Sequence, residues 1–192
     1  CMSNLEIHEI DSVHIKINCE RSIAKEISDF FTFTVPNYQF TPAYKNKLWD
    51  GQIRLYNIHT QLLYSGLYDY VIKFAKERNY TVKNHVLKPS INIPKKDVNL
   101  YISDKLKPTV NGVKIEPHYH QIDAITHAIN NERCLLLSPT GSGKSLIIYS
   151  LVRYCESVLP KDKKILIVVP TTGLVSQMYN DFKDYSSKDS WD

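Results

Sequence analysis

Several absences narrow this 192-residue chain before any motif is considered. No apolar stretch approaches the ~18 residues that a bilayer-crossing helix requires, so no transmembrane helix is expected. Glu6, His8 and Glu9 interrupt the beginning of the chain, where a secretory leader would show a basic and then an apolar stretch. A cytoplasmic setting is therefore the default. Cysteine is sparse: Cys1, Cys19, Cys134 and Cys155 show neither C-x-x-C spacing nor paired Cys/His spacing. They read as reduced structural thiols, which excludes a disulfide framework or a cysteine-held metal as the basis of the fold. Met2, directly after Cys1, looks the more natural start. No internal repeat, low-complexity tract or coiled-coil pattern is present, which argues against a purely structural role. Hydrophobic residues at 43% and charged residues at 23% are ordinary for a soluble globular chain of one large or two small domains.

The formal net charge is +4, and its distribution is uneven. Residues 1–112 hold 15 Lys/Arg against 11 Asp/Glu, whereas residues 113–192 hold 9 of each. The excess positive charge therefore lies wholly in the first segment. That bias is compatible with a polyanionic partner without establishing one.

The first segment, 1–87, reads as a small mixed α/β domain. Ile7–Ile10 and Val13–Ile17 alternate like half-buried strands. Ser22 is placed to cap a helix that carries Ile23, Ile27, Phe30 and Phe31 on one face. Gln52–Tyr56 and Gln61–Tyr64 suggest two strands joined by a polar turn at Asn57–Thr60. A helix with Val71, Ile72, Phe74 and Ala75 follows Gly66, and Tyr80–Lys83 suggests a closing strand. From 88 to 112 the composition shifts, with Pro89, Pro94 and Pro108 and a turn at Asn111-Gly112. This stretch reads as a linker containing one short helix, begun by Pro94 and ending near Leu106.

The second segment, 113–192, alternates differently. A helix at His120–Asn130 leads to an apolar strand at Cys134–Leu137, a glycine-bearing loop and a long helix from Lys144 to about Val158. A strongly apolar strand at Ile165–Val169 and a helix from about Gly173 to Tyr185 complete it. This order predicts a parallel sheet with helices on both faces, a partial P-loop α/β domain.

The sharpest signal is Ser138-Pro139-Thr140-Gly141-Ser142-Gly143-Lys144-Ser145, placed between the apolar strand and the long helix as a phosphate-binding loop requires. Glycines let the backbone turn its N–H groups inward, and the helix N-terminus adds positive potential. Lys144 is the candidate catalytic residue, reaching the β- and γ-phosphates, and Ser145 the candidate Mg²⁺ ligand. Ser138 stands where the strict pattern has glycine. Upstream, Glu116-Pro117-His118-Tyr119-His120-Gln121 enters a helix. The Gln121 amide can offer adenine one donor and one acceptor; its plain alternative is a solvated residue at a helix start. Downstream, Pro170-Thr171-Thr172-Gly173-Leu174-Val175-Ser176-Gln177 presents hydroxyls and N–H groups at a strand-to-helix junction. These suit a nucleic-acid phosphate or, equally, ordinary helix capping.

Together these three stretches resemble superfamily-two helicases, with Gln121 at the adenine-recognising glutamine, the Lys144 loop as motif I and Val169-Pro170-Thr171-Thr172…Gln177 as motif Ia. Trp49-Asp50-Gly51-Gln52-Ile53-Arg54-Leu55, followed by Leu62-Leu63…Gly66-Leu67 and Ile72-Lys73-Phe74, resembles the N-terminal domain of the UvsW family of phage helicases. The resemblance implies a RecA-like motor and an ATP-dependent DNA helicase that remodels forks, Holliday junctions and R-loops during phage recombination and replication. Its setting would be the cytoplasm of the infected host, with other replication and recombination proteins as possible partners. ATP and Mg²⁺ are the implied cofactors. Nucleotide roles fall to Gln121, Thr140, Gly141, Ser142, Gly143, Lys144 and Ser145, and DNA-backbone contacts to Thr171, Thr172 and Gln177.

The resemblance does not fix the DNA contacts of the first domain. The residues themselves suggest Lys45, Lys47, Trp49 and Arg54, interleaved with Tyr44 and Tyr56, because cations neutralise phosphates and aromatic rings stack on exposed bases. The plain alternative packs Trp49 and the tyrosines inside and leaves the lysines as a solvated face. A superfamily-two motor also needs an acidic pair, usually in D-E-x-H, and a second RecA-like domain. The chain contains no Asp-Glu dipeptide and runs to Asp192, shortly after the motif Ia stretch. The expectation is therefore a helicase fragment that binds ATP weakly and does not hydrolyse it. An incomplete sheet edge would favour self-association. The alternatives are a stand-alone DNA-binding module with a vestigial phosphate loop, or a P-loop motor of another kind such as a restriction translocase.

Overall fold

Alternating apolar residues build the first sheet. The computed structural model describes residues 4–87, 91–189 and 191, and divides into two units, Cys1–Pro89 and Ser90–Asp192. Cys1 and Pro89 lie outside the described residues. In the first unit, β1 (Leu5–Glu9) and β2 (His14–Cys19) pair antiparallel. Asp11 turns the chain between them, its carboxylate accepting from the N–H groups of Val13 and His14 at 2.8 and 2.6 Å. Leu5, Ile7, Ile15 and Ile17 point inward, and the residues between them face away. Two helices, α1 (Arg21–Phe30) and α3 (Tyr68–Glu77), supply Ile23, Ala24, Ile27, Val71, Phe74 and Ala75 to the same core. Full burial of each large apolar side chain contributes about 1.5–3 kcal/mol. Arg78 closes one end, stacked 4.0 Å above the Phe74 ring and paired with Glu26 at 3.3 Å.

The two strands expected on either side of the Asn57–Thr60 turn form, but in different sheets. After β3 (Thr32–Thr34) and the short helix α2 (Pro42–Lys45), β4 (Gln52–Arg54) pairs with β3, whereas β5 (Leu62–Tyr64) pairs with β2. Among the described residues, the turn between β4 and β5 carries one isolated bridge, Asn57 to Leu62. Leu63 is buried beside Ile15 in the core, whereas β4 joins β3 in a separate, largely exposed two-stranded ribbon. Ser22 does not cap α1: the helix begins at Arg21 with Glu20 as the flanking residue and no side-chain cap. β6 (Val82–Asn84) closes the sheet parallel to β1, giving the order β5-β2-β1-β6.

The stretch expected as a linker is folded into the second unit. Its helix α4 (Lys95–Leu100) starts directly after Pro94 and continues as a wider helical turn over Tyr101–Leu106. Val98, Ile102 and Leu106 are buried in the second core, so apolar spacing within the stretch outweighs its prolines. Asn111 and Gly112, at φ 51° and 76°, make the tight turn between β7 (Thr109–Val110) and β8 (Val113–Lys114). Three longer helices follow: α5 (Tyr119–Asn130), α6 (Lys144–Val158) and α7 (Thr172–Tyr185). Ile122, Ile125, Ile129, Leu146, Ile147 and Tyr149 join α4 in one core.

Cys134–Leu137 and Ile165–Val169 keep their places between these helices but form no ladder among the described residues. Leu135, Leu137, Leu166 and Val168 are 81–88% exposed. A parallel strand is stable when neighbours pair both its edges and helices cover both faces; here the helices pack on one another instead. No described helix is long and apolar enough to cross a membrane.

Candidate functional site: a phosphate-binding loop at the start of helix α6

Two glycines shape the loop before α6. Gly141 and Gly143 adopt φ 79° and 77°, a left-handed conformation in which side-chain-bearing residues are strained. Gly143 has a second reason to be glycine, since a Cβ there would sit 2.2 Å from the Gln121 amide nitrogen. The loop is braced from inside: Ser142 donates from its N–H to the Pro139 carbonyl at 3.3 Å and from its hydroxyl to the same oxygen at 2.7 Å. The Ser138 and Ser142 hydroxyls bond to each other. Thr140, Gly141 and Lys144 are exposed and α6 begins at Lys144. The Lys144 and Ser145 N–H groups therefore precede the first helical bonds, which Leu146 and Ile147 make to the Gly143 carbonyl at 3.2 and 3.4 Å. This backbone fits an anion.

Gln121 behaves differently from either sequence reading. It is buried, 4% exposed, and both ends of its amide are engaged. Its oxygen accepts from the His118 N–H at 2.8 Å, closing a reciprocal cap at the start of α5. Its nitrogen donates to the Gly143 carbonyl at 3.2 Å and, more weakly, to that of Ser142 at 3.5 Å. In this conformation Gln121 straps the loop to α5 rather than presenting its amide to a base. His120 adds a second strap, Nε2 donating to the Ser142 carbonyl at 3.1 Å. The Ser145 hydroxyl, the candidate magnesium ligand, shares a 2.7 Å hydrogen bond with the Tyr185 phenol of α7. Burial raises the Tyr185 pKa, with the Ser145 bond working the other way.

Gln121, Tyr185, His118 and His120 border a depression of about 510 Å³ whose floor includes Gly141, Ser142 and Gly143. The His118 and His120 rings are parallel, 5.5 Å apart. The volume is in the range of small-molecule sites. Sequence reasoning noted the His118-to-Gln121 stretch but gave the histidines no role. It also missed Tyr185, which lies forty residues beyond Ser145 and carries no local signal.

The motif Ia stretch sits at the start of α7. Thr171 caps that helix, its hydroxyl accepting from the Leu174 N–H at 3.3 Å. Thr172 and Gln177 are exposed on the same helix.

In the first unit, Lys45, Lys47 and Trp49 come together with Tyr44 around a depression of about 530 Å³. Trp49 is half-buried and donates from its indole N–H to the Gln52 carbonyl at 2.8 Å. Gly51, at φ 80°, lets the chain pass against Tyr38, whose ring a Cβ would meet at 2.2 Å. Arg54 is engaged elsewhere: it pairs with Asp50 at 2.5 Å and donates to Gln52 at 2.9 Å. The guanidinium beside Asp50, aided by the Gln52 N–H, holds that carboxyl below its ordinary range. Tyr56 is corrected outright, because it is 2% exposed in the core and presents no face to a base.

Known proteins share both halves of this arrangement. Residues 4–85 match the family described as DNA helicase UvsW, N-terminal, and residues 114–191 match the type III restriction enzyme, res subunit, family. The ATP-dependent DNA helicase uvsW of Enterobacteria phage T4 is 38% identical over 186 residues, covering 95% of this chain and 36% of that protein. The ATP-dependent DNA helicase Hel308 of Caldivirga maquilingensis is 41% identical over 58 residues, 30% of this chain and 7% of its own. Two crystal structures of T4 UvsW superpose with TM-scores of 0.82 and 0.81, each over 95% of this chain and over 36% and 64% of theirs. The chain thus spans about a third of the curated helicase it matches over nearly its whole length. It carries a UvsW-type N-terminal domain followed by the opening of a RecA-like motor domain.

Proposed function

We propose that this chain is the N-terminal part of an ATP-dependent DNA helicase, joining a DNA-contacting domain to the ATP-binding lobe of the motor. The observation that carries the reading is the loop 138–145, with two left-handed glycines at the N-terminus of α6, in a chain whose residues 4–85 match the UvsW N-terminal family. The loop N–H groups and Lys144 would hold the nucleotide phosphates, with Thr140 and Ser142 shaping the cradle. Ser145 would hold Mg²⁺ once Tyr185 releases its hydroxyl. When bound, the metal nucleotide supplies the phosphoryl group whose transfer drives a motor. Gln121 would reach adenine only by giving up its bonds to His118 and Gly143. The loop strap and base recognition are therefore alternatives for one amide.

DNA is the proposed partner, contacted by Thr172 and Gln177 at α7 and by Lys45, Lys47 and Trp49 of the first unit. Thr171 contributes through its N–H and hydroxyl proton, since its oxygen already caps α7. Arg54 is a weaker contact because Asp50 neutralises it. Branched DNA in phage recombination, repair and replication is the proposed substrate. These 192 residues contain no Asp-Glu pair to orient a water, so the chain by itself is proposed to bind ATP without turning it over. Binding of a fluorescent ATP analogue and of a forked DNA, each measured on the parent and on Lys144→Ala, tests this reading. Nucleotide affinity is expected to collapse in the variant, with fork affinity kept. Nucleotide binding unaffected by Lys144→Ala would favour a DNA-binding module with a vestigial loop.

A further inference from the structure

The outer face of the first sheet holds three ligating side chains that the phosphate-loop account does not use. Strand alternation buries Leu5 and Ile7 of β1 and turns Glu6 and His8 to the opposite face. The parallel register of β1 with β6 sets Glu6 beside Lys83 and Ile7 beside Asn84. The His85 N–H continues the register by donating to the Ile7 carbonyl at 2.9 Å, which places His85 next to His8. Their imidazoles lie parallel, 4.5 Å between centroids and 7° between planes. Both Nε2 atoms approach the same Glu6 oxygen, at 2.8 Å for His85 and 3.6 Å for His8. The three ligand atoms fall within 4.8 Å of one another.

We propose that Glu6, His8 and His85 form a binding site for a divalent transition-metal ion of the zinc class. Two imidazole nitrogens and one carboxylate oxygen are a donor set for borderline ions, whereas Mg²⁺ and Ca²⁺ require oxygen ligands. Ligands ~2.1 Å from a tetrahedral ion lie ~3.4 Å from each other, and the two Glu6–His separations bracket that value. Small rotations of the stacked rings aim both lone pairs at one point. The side chains are 33–38% exposed, so water completes the shell. Two cations oppose the ion: Lys83, 3.2 Å from the same Glu6 oxygen, and Lys16, which faces His8 across the β1–β2 ladder. The ion takes the place of Lys83 at Glu6, so the site is moderate in affinity rather than tight. Its structural effect is to fasten the chain just beyond edge strand β6 to the centre of the sheet.

Calorimetric titration of the 192-residue chain with Zn²⁺ alone, in the absence of nucleotide, tests the site, with thermal unfolding followed by Trp49 emission in a Trp191→Phe background. One ion per chain is expected at this site, with a rise in the Trp49 transition temperature. His8→Ala and His85→Ala should each weaken that ion by at least about tenfold, while the pair His118→Ala/His120→Ala leaves it unchanged. Lys83→Gln should tighten binding, an effect opposite in sign to any loss of fold, and circular dichroism of the zinc-free variants checks that each remains folded. A Trp49 transition indifferent to zinc, or an affinity equal in the parent, His8→Ala and His85→Ala, would overturn the proposal.

Discussion

The two halves of the chain use their apolar residues in opposite ways. The first unit buries its strands: Leu5, Ile7, Ile15, Ile17 and Leu63 are each at most 1% exposed beneath α1 and α3. The second buries its helices on one another and leaves its two most apolar segments, around Leu135 and Leu166, in solvent. The first sheet is mixed, antiparallel through β5, β2 and β1 and parallel only at β6, and such a sheet can bury one face beneath helices and leave the other to water. A parallel sheet is stable only when both faces and all inner edges are covered. The first unit is accordingly a finished core, while the second is a helical core with uncovered sheet-forming segments.

That contrast is broken most directly by truncating a core residue. Phe74→Ala should cost the first unit about 3–5 kcal/mol, because the ring is fully buried, edge-on to Phe30 and stacked under Arg78. Each unit holds one tryptophan, Trp49 or Trp191, so urea unfolding in single-tryptophan backgrounds separates the two transitions. Movement of the Trp191 transition by the same amount would show the halves to unfold as one. A smaller effect is expected at the turn beside Trp49: Gly51→Ala should destabilise by about 1–3 kcal/mol through strained backbone and the clash with Tyr38. Stability equal to the parent in the same urea series would refute the close approach.

The second half is probed by association. Sedimentation velocity should show concentration-dependent self-association that Leu166→Lys/Val168→Lys suppresses, since those side chains are 85% and 82% exposed. A parent chain monomeric at every concentration would count against uncovered strands. Smaller again, Tyr185→Phe should raise affinity for an ATP analogue a few-fold in Mg²⁺ and hardly at all without it, by freeing the Ser145 hydroxyl. An equal gain in both conditions would remove the metal from that explanation. The subtlest effect is chemical: desolvation raises the Cys19 and Cys155 thiols, so Cys134, which is exposed, should alkylate before either of them when sites are mapped by mass spectrometry.

Local signals carried the sequence reading well. The 15-residue α6 and its loop were legible because glycine, lysine and serine at that spacing have few other uses, and Asn111-Gly112 marked its turn unaided. Pairing was not legible: two strands on either side of one turn join different partners, because β5 goes where Leu63 finds a core, beside Ile15 far away in sequence. The short helix after Pro94 was legible, but not that its Val98, Ile102 and Leu106 are buried in the second core. At the site, residue types were readable but their present engagements were not. The Gln121 strap, the Tyr185–Ser145 bond and the Asp50 hold on Arg54 each depend on geometry that no spacing encodes.

The central claim is that the loop before α6 holds the phosphates of a nucleotide. Equilibrium binding of a fluorescent ATP analogue in Mg²⁺, compared between the parent, Lys144→Ala and Gly143→Ala, tests it most directly. Saturable binding competed by ATP is predicted for the parent and its loss in both variants: one lacks the ammonium, and the other drives a Cβ into Gln121 from a left-handed backbone. Binding retained in both variants, or absent from a folded parent, would contradict the account.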